Sequence, residues 1–150
     1  MRNLKALGLA GGVSFSDPMP RRTVSGVLIK PGHCGTLYQA LNARFVGRSW
    51  RRSLRLLADG TVLSDRTIQK LRAGEPGTAS IRQRLGQLGI RLPDGPVGPE
   101  LTILLNKHTR SLRHPGNFKY VWPFSRAAAK HLPNPLPYPK MDPLFYCANT

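Results

Sequence analysis

Carboxylates are what this chain has least of among its charged groups: 7 Asp and Glu stand against 23 Lys and Arg in 150 residues, a formal net charge of +16. That shortage excludes an evenly mixed surface and implies a polyanionic partner. Nucleic acid meets such charge most regularly, because each phosphate neutralised releases counterions. Cysteine is almost missing as well. Cys34 and Cys147 are too few and too far apart for a disulfide scaffold and lack metal-ligand spacing, which fits a reducing compartment. No apolar run approaches the length of a membrane span, and the glycine-broken start at residues 1–13, with Arg2 and Lys5, is not followed by a small-residue cleavage pattern. The expected place is therefore the cytoplasm, associated with the nucleoid; the acid-poor, serine-containing leader leaves organelle import open.

Groupings that carry catalysis are lacking too. The four histidines, His33, His108, His114 and His131, show no zinc spacing with either cysteine, and the few carboxylates are scattered singly. Gly8, Gly11 and Gly12 do not follow a recognisable strand, so they make no phosphate loop. No enzyme, no metal site and no cofactor is expected. His108, on an apolar stripe, reads as a partly buried, hydrogen-bonded residue.

What the chain does have is uneven charge and a series of helix signals in its middle. Residues 44–91 hold 11 basic and 3 acidic side chains, residues 92–106 hold 0 and 2, and residues 107–150 hold 7 and 1. The 14 Pro and 15 Gly concentrate outside the middle, so one small domain with loose ends is expected. Residues 1–35 read as irregular apart from a short β-branched strand over 23–29. A first helix is predicted from Thr36, capped with Gln39, with Leu37, Leu41 and Phe45 in a stripe up to Gly47. A second is predicted after Ser49, with Trp50, Leu54, Leu57 and Ala58 as its core face and Arg51, Arg52 and Arg55 outward. Asp59 and Gly60 then form a turn.

The strongest local signal lies over residues 63–75. Ser64 occupies an N-cap position, Leu63 can staple onto Ile68, Asp65 sits in the first turn, and Gly74 supplies a left-handed stop. Ile68 and Leu71 anchor one face, and Arg66, Gln69, Lys70 and Ala73 fall on the other. A further helix opens near Thr78, with Ile81, Leu85 and Leu88 inward, and stops at Gly89. Residues 90–98 read as a linker. An accessory helix follows over 99–114, with Leu101, Leu104, Leu105, His108 and Leu112 along one side.

The run over residues 46–88 resembles the helix-turn-helix of Cro and repressor-like DNA-binding proteins of bacteria and phages. The resemblance rests on Trp50 and Leu54 in the first helix, on Ser64 to Ile68 opening the second, and on Ala73, Gly74, Glu75 and Pro76 closing it. The turn at 58–63 is about three residues longer than is usual there, and Leu71 stands where related phage proteins often have Trp. The resemblance implies a mainly α fold, a small helical bundle with the helix-turn-helix domain at 36–89. It implies base contacts from Arg66, Gln69 and Lys70, and backbone contacts from Ser49, Arg51, Arg52, Arg55 and Arg72. The function so implied is sequence-specific binding of double-stranded DNA by a transcriptional regulator. The partners are duplex DNA and, for a dimeric regulator, a second copy of the chain.

Residues 115–150 read as an extended basic and aromatic arm without a dependable period. Phe118, Tyr120, Trp122 and Phe124 interleave with Lys119, Arg126 and Lys130. Such rings either stack on RNA bases or dock back on the protein, with Trp122 and Phe124 as anchors, and docking is favoured. The first option keeps a structural RNA-binding role, in a ribonucleoprotein, as the alternative function. Residues 133–139 read as polyproline II, a spacer or a ligand for an aromatic groove.

Overall fold

Pairing between distant segments dominates this chain, and it overturns the mainly α bundle expected above. A computed structural model describes residues 7–140 and shows a mixed α/β protein with 28% helix, 25% strand and three antiparallel sheets. Arg2, Lys5, Cys147 and the end of the arm at 141–150 lie outside the described residues. The chain divides into two units, each discontinuous in sequence. Among the described residues, the first comprises 7–21, 30–52 and 115–140, and the second 22–29 and 53–114.

The first unit is built on the segment read as an arm. Strand β8, Phe118–Pro123, is the middle of a sheet, between β1, Gly11–Ser16, and β4, Arg44–Arg48, both antiparallel to it. Its residues alternate with period two, so Phe118, Tyr120 and Trp122 share one face. There Phe118 and Tyr120 are buried with Phe45, Cys34 and Ala43, and Tyr38 and Trp122 pack against the cluster. Tyr120 is fully buried. Its hydroxyl donates to the Cys34 carbonyl and receives the Gln39 amide at 3.1 Å, and burial holds its pKa above the ordinary phenol range. The arm is thus the core of the unit. The tail after it is docked rather than a spacer. Leu136 N–H donates to the Phe45 carbonyl at 2.9 Å, and the Tyr138 hydroxyl donates to the Ala43 carbonyl at 2.8 Å. Short helix α5, Arg126–Lys130, is capped by the Ser125 side chain.

The helix expected from Thr36 is only a turn and a half, α1, Thr36–Ala40. Its N-cap is Gly35 in the left-handed region, with no side-chain cap. Leu37 and Leu41 are exposed, so no apolar stripe forms. Asn42, with φ 56, reverses the chain into β4, where Phe45 pairs with Tyr120 and a bulge follows at Gly47, φ 108. The described part of the segment expected to be irregular, residues 7–35, is likewise not irregular, since β1 runs through it. The strand expected over 23–29 is instead a hairpin, in which β2, Arg21–Arg22, pairs with β3, Leu28–Lys30.

The helix expected after Ser49 is the plainest correction. Residues Arg52–Leu56 form strand β5, between β6, Val62–Leu63, and β7, Arg110–His114. Leu54 and Leu56 suit either period, and pairing with a strand more than fifty residues away decides between them. Trp50 is not a core residue; it is 92% exposed. β7 also cuts short the accessory helix, which is α4, Glu100–His108, and His108 on it is exposed, while His114 is the buried histidine.

The helical part of the second unit does form. Helices α2, Asp65–Ala73, and α3, Ala79–Gln87, pack with α4 around Leu57, Leu63, Ile68, Leu71, Leu85, Ile90, Val97, Leu101 and Leu105. The turn at Asp59 is fixed by its side chain, which accepts Thr61 N–H at 2.9 Å and Arg84 Nε at 2.6 Å. Burial raises the Asp59 pKa, but these hydrogen bonds outweigh it and hold the carboxyl below its ordinary value. A lowered folded-state pKa gives stability that is present above the unfolded value, about 3.9, and lost as pH falls through the folded one. Thermal melts between pH about 5 and about 2 should therefore show a loss that Asp59→Asn reduces. An unchanged acid limb in that variant would remove Asp59 from the account.

Candidate nucleic-acid interface

Local chemistry explains why α2 stands where it does. Ser64 is extended, with φ −73 and ψ 152, and its side chain accepts the Thr67 N–H at 3.1 Å. Asp65 lies in the first turn and Lys70 and Arg72 in the last, each suited to the helix dipole. Gly74, φ 66, closes the helix by donating to the Lys70 carbonyl. The same glycine leaves room for Pro96, whose ring and nitrogen would lie 3.0 Å from an added Cβ. Ile68 and Leu71 are buried, and Val97 N–H donates to the Leu71 carbonyl at 3.3 Å, tying the helix to the chain before α4.

The opposite face is exposed at Arg66, Gln69 and Ala73, with Lys70 half-buried at its margin. The turn organises this face. Glu75 pairs with Arg66 through both carboxylate oxygens, at 2.8 and 3.5 Å, a carboxylate nine positions along that an i to i+4 search does not reach. In so exposed a pair the stabilisation is small, about 0 to 1 kcal/mol, so its effect is to direct the guanidinium. Arg72 donates to the Thr102 hydroxyl, and Arg55 Nη1 donates to Asn106 Oδ1 at 2.6 Å. With Gln69 and Thr102 these arginines line a cleft of about 220 Å³ beside α2.

The residues expected to contact nucleic acid are thus sorted by the fold. Arg66, Gln69, Lys70 and Arg72 share α2, and Arg55 reaches their cleft from β5. Ser49, Arg51 and Arg52 belong to the other unit and lie on no helix. Ser49 caps nothing; its hydroxyl accepts the Asn117 N–H at 2.9 Å, and its own N–H donates to the Asn117 carbonyl at 2.8 Å. Arg52 reaches Asn117 Oδ1 at 3.4 Å, and Arg51 is exposed. The helix-turn-helix resemblance therefore keeps a counterpart only from Ser64 onward. The element before it, which would cross the DNA backbone, is strand.

Arg48 escaped the sequence reading, and Lys119 was read only as one cation of the basic and aromatic arm. They line an open groove of about 480 Å³ in the first unit with Ser49, Trp50, Arg51 and Pro115. The signal for it was the order Arg48, Ser49, Trp50, Arg51, Arg52, in which a ring is flanked by cations on both sides. Comparison of the chain with protein families, with curated proteins and with solved structures finds no match. Among the described residues, no helix is long and apolar enough to cross a membrane.

Proposed function

We propose that the protein binds double-stranded DNA sequence-specifically through the outward face of α2, as a transcriptional regulator of bacterial or phage type would. One observation carries this reading: a basic helix, capped at both ends and anchored by Ile68 and Leu71, leaves Arg66 and Gln69 exposed on one face. Arginine can grip guanine O6 and N7 with two hydrogen bonds, and glutamine can do the same for adenine N6 and N7. Lys70 beside them supplies charge toward bases or phosphate, and Arg72, near the end of the helix, and Arg55, from β5, serve as phosphate contacts. Glu75 holds the Arg66 guanidinium ready, which favours one geometry over indiscriminate contact with phosphate.

The test is selection of duplexes from a random pool, followed by competition against random duplex at about 0.15 M salt. Arg66→Ala should lose about 1 to 3 kcal/mol on the selected duplex and much less on the random one. Glu75→Gln should tighten random binding and narrow the gap between the two duplexes. Failure to select a consensus, or equal losses on both duplexes for Arg66→Ala, would overturn the reading.

The RNA-binding alternative rested on four rings of the arm. Phe118 and Tyr120 are buried in the first unit and Trp122 packs against them, whereas Phe124 is half-buried.

A further inference from the structure

Trp50 is 92% exposed. A tryptophan left in water forfeits the burial of its large apolar surface, so a ring standing free needs a reason. Floppiness is not that reason, because the backbone that carries it is braced. Ser49 and Asn117 exchange hydrogen bonds at 2.8 and 2.9 Å. Gly116 passes so close beneath that an added Cβ would stand 2.0 Å from the Ser49 carbonyl oxygen and 3.3 Å from that of Trp50. The fold therefore presents the ring on a fixed support.

Its surroundings are cationic. Arg48, Arg51 and Lys119 line the same groove as Trp50, and the Arg48 guanidinium carbon lies over the buried Phe118 ring, 4.4 Å from its centroid. Among its described residues the unit has one carboxylate, Asp17, and it is engaged by Arg21 at 2.7 Å and Lys30 at 2.9 Å. Among the described residues of the unit, no further acid stands near to neutralise the groove. An exposed ring fixed among unneutralised cations combines the two elements that hold a single strand, a stacking face for the base and charge for the adjoining phosphates.

We propose that this groove is a binding site for an unpaired nucleotide of single-stranded nucleic acid. The base stacks on Trp50, and Arg51 and Lys119 meet the flanking phosphates. Arg48, turned onto Phe118, closes one wall. The site draws its residues from the first unit and α2 belongs to the second, so substitutions test the two independently.

Oligothymidylate of about ten nucleotides is a suitable probe, long enough to cover one site of this kind. Titrated into the protein, it should quench the fluorescence of the exposed tryptophan. Trp50→Ala should weaken binding about tenfold, Trp50→Phe should recover most of it, and Arg66→Ala should leave it unchanged. Arg51→Gln and Lys119→Gln should each weaken binding and lower its dependence on salt. Because Trp50 is exposed, the Trp50→Ala variant should keep the wild-type circular dichroism spectrum and melting profile. Unchanged affinity in that folded variant would overturn the proposal. So would inorganic polyphosphate binding as tightly as the oligonucleotide, which would reveal an anion site without stacking, or polyglutamate binding that depends on Trp50, which would point to an acidic protein.

Discussion

Tyr120→Ala should cost about 3 to 5 kcal/mol, enough to abolish the folded first unit, whereas Trp50→Ala should change stability by no more than about 0.5 kcal/mol. The contrast follows from where the rings lie. Tyr120 is fully buried, 5.4 Å from the Tyr38 ring and 5.5 Å from the Phe45 ring. Removing it opens a cavity beneath the sheet and strips Cys34 and Gln39 of a hydrogen-bond partner. Collapse of the site is hindered, because β8 is hydrogen-bonded along both edges. Tyr120→Phe isolates the polar part of the loss: it keeps the ring and should cost about 0.5 to 1.5 kcal/mol, the net worth of an ordinary hydrogen bond, because Gln39 Nε2 still donates to the Cys34 and Pro139 carbonyls. Urea melts of the three variants would check the order. Equal stability of Tyr120→Ala and Trp50→Ala would refute the placement of both rings.

Gly116→Ala should be nearly as damaging, although it adds a single methyl group. Gly116 adopts φ 95, which costs an alanine about 1 to 3 kcal/mol before any contact is considered. The new Cβ would then overlap Ser49 backbone atoms at 2.0 and 2.9 Å, and backbone cannot swing aside as a long side chain can. The combined loss should reach at least about 3 kcal/mol. Gly86→Ala is the control. Gly86 lies inside α3 with nothing within 4 Å of the added Cβ, so that change should stabilise by about 0.5 to 1 kcal/mol. Opposite signs for the two substitutions in thermal melts are the expected result. A harmless Gly116→Ala would mean that the support under Trp50 is looser than described, and the single-strand groove would lose its rigidity argument.

What could be read without coordinates was what the sequence encodes within a few residues. α2 was legible because Ser64, Asp65 and Gly74 each act on backbone groups within one turn, and Ile68 and Leu71 repeat at the helical period. α3 was legible from the repeat of Ile81, Leu85 and Leu88 and from Gly89 beyond it, although Thr78 makes no side-chain cap. The sheets were not, since a strand is specified by partners elsewhere. Phe118, Tyr120 and Trp122 did carry a period-two signal, but the prolines beyond them concealed it, and nothing in that segment names Phe45 or Ser14 as its neighbours. Leu54 and Leu57 fit a helix face as well as a strand and its following turn. Placing Trp50 on that supposed helix sent the most exposed ring among the unit's described residues into an imagined core. The site divides the same way: Arg66, Gln69 and Lys70 follow from the helix, while the Arg66–Glu75 pair and the Arg48 and Lys119 walls depend on turns and strand register.

Duplex DNA seated on the outward face of α2 would be seen in the backbone amide resonances of that helix. On adding the selected duplex, the largest shifts should fall on Arg66, Gln69, Lys70 and Ala73, with random duplex moving them less. Shifts of equal size spread over all basic surfaces, or a selected duplex that leaves α2 unmoved, would contradict that seating.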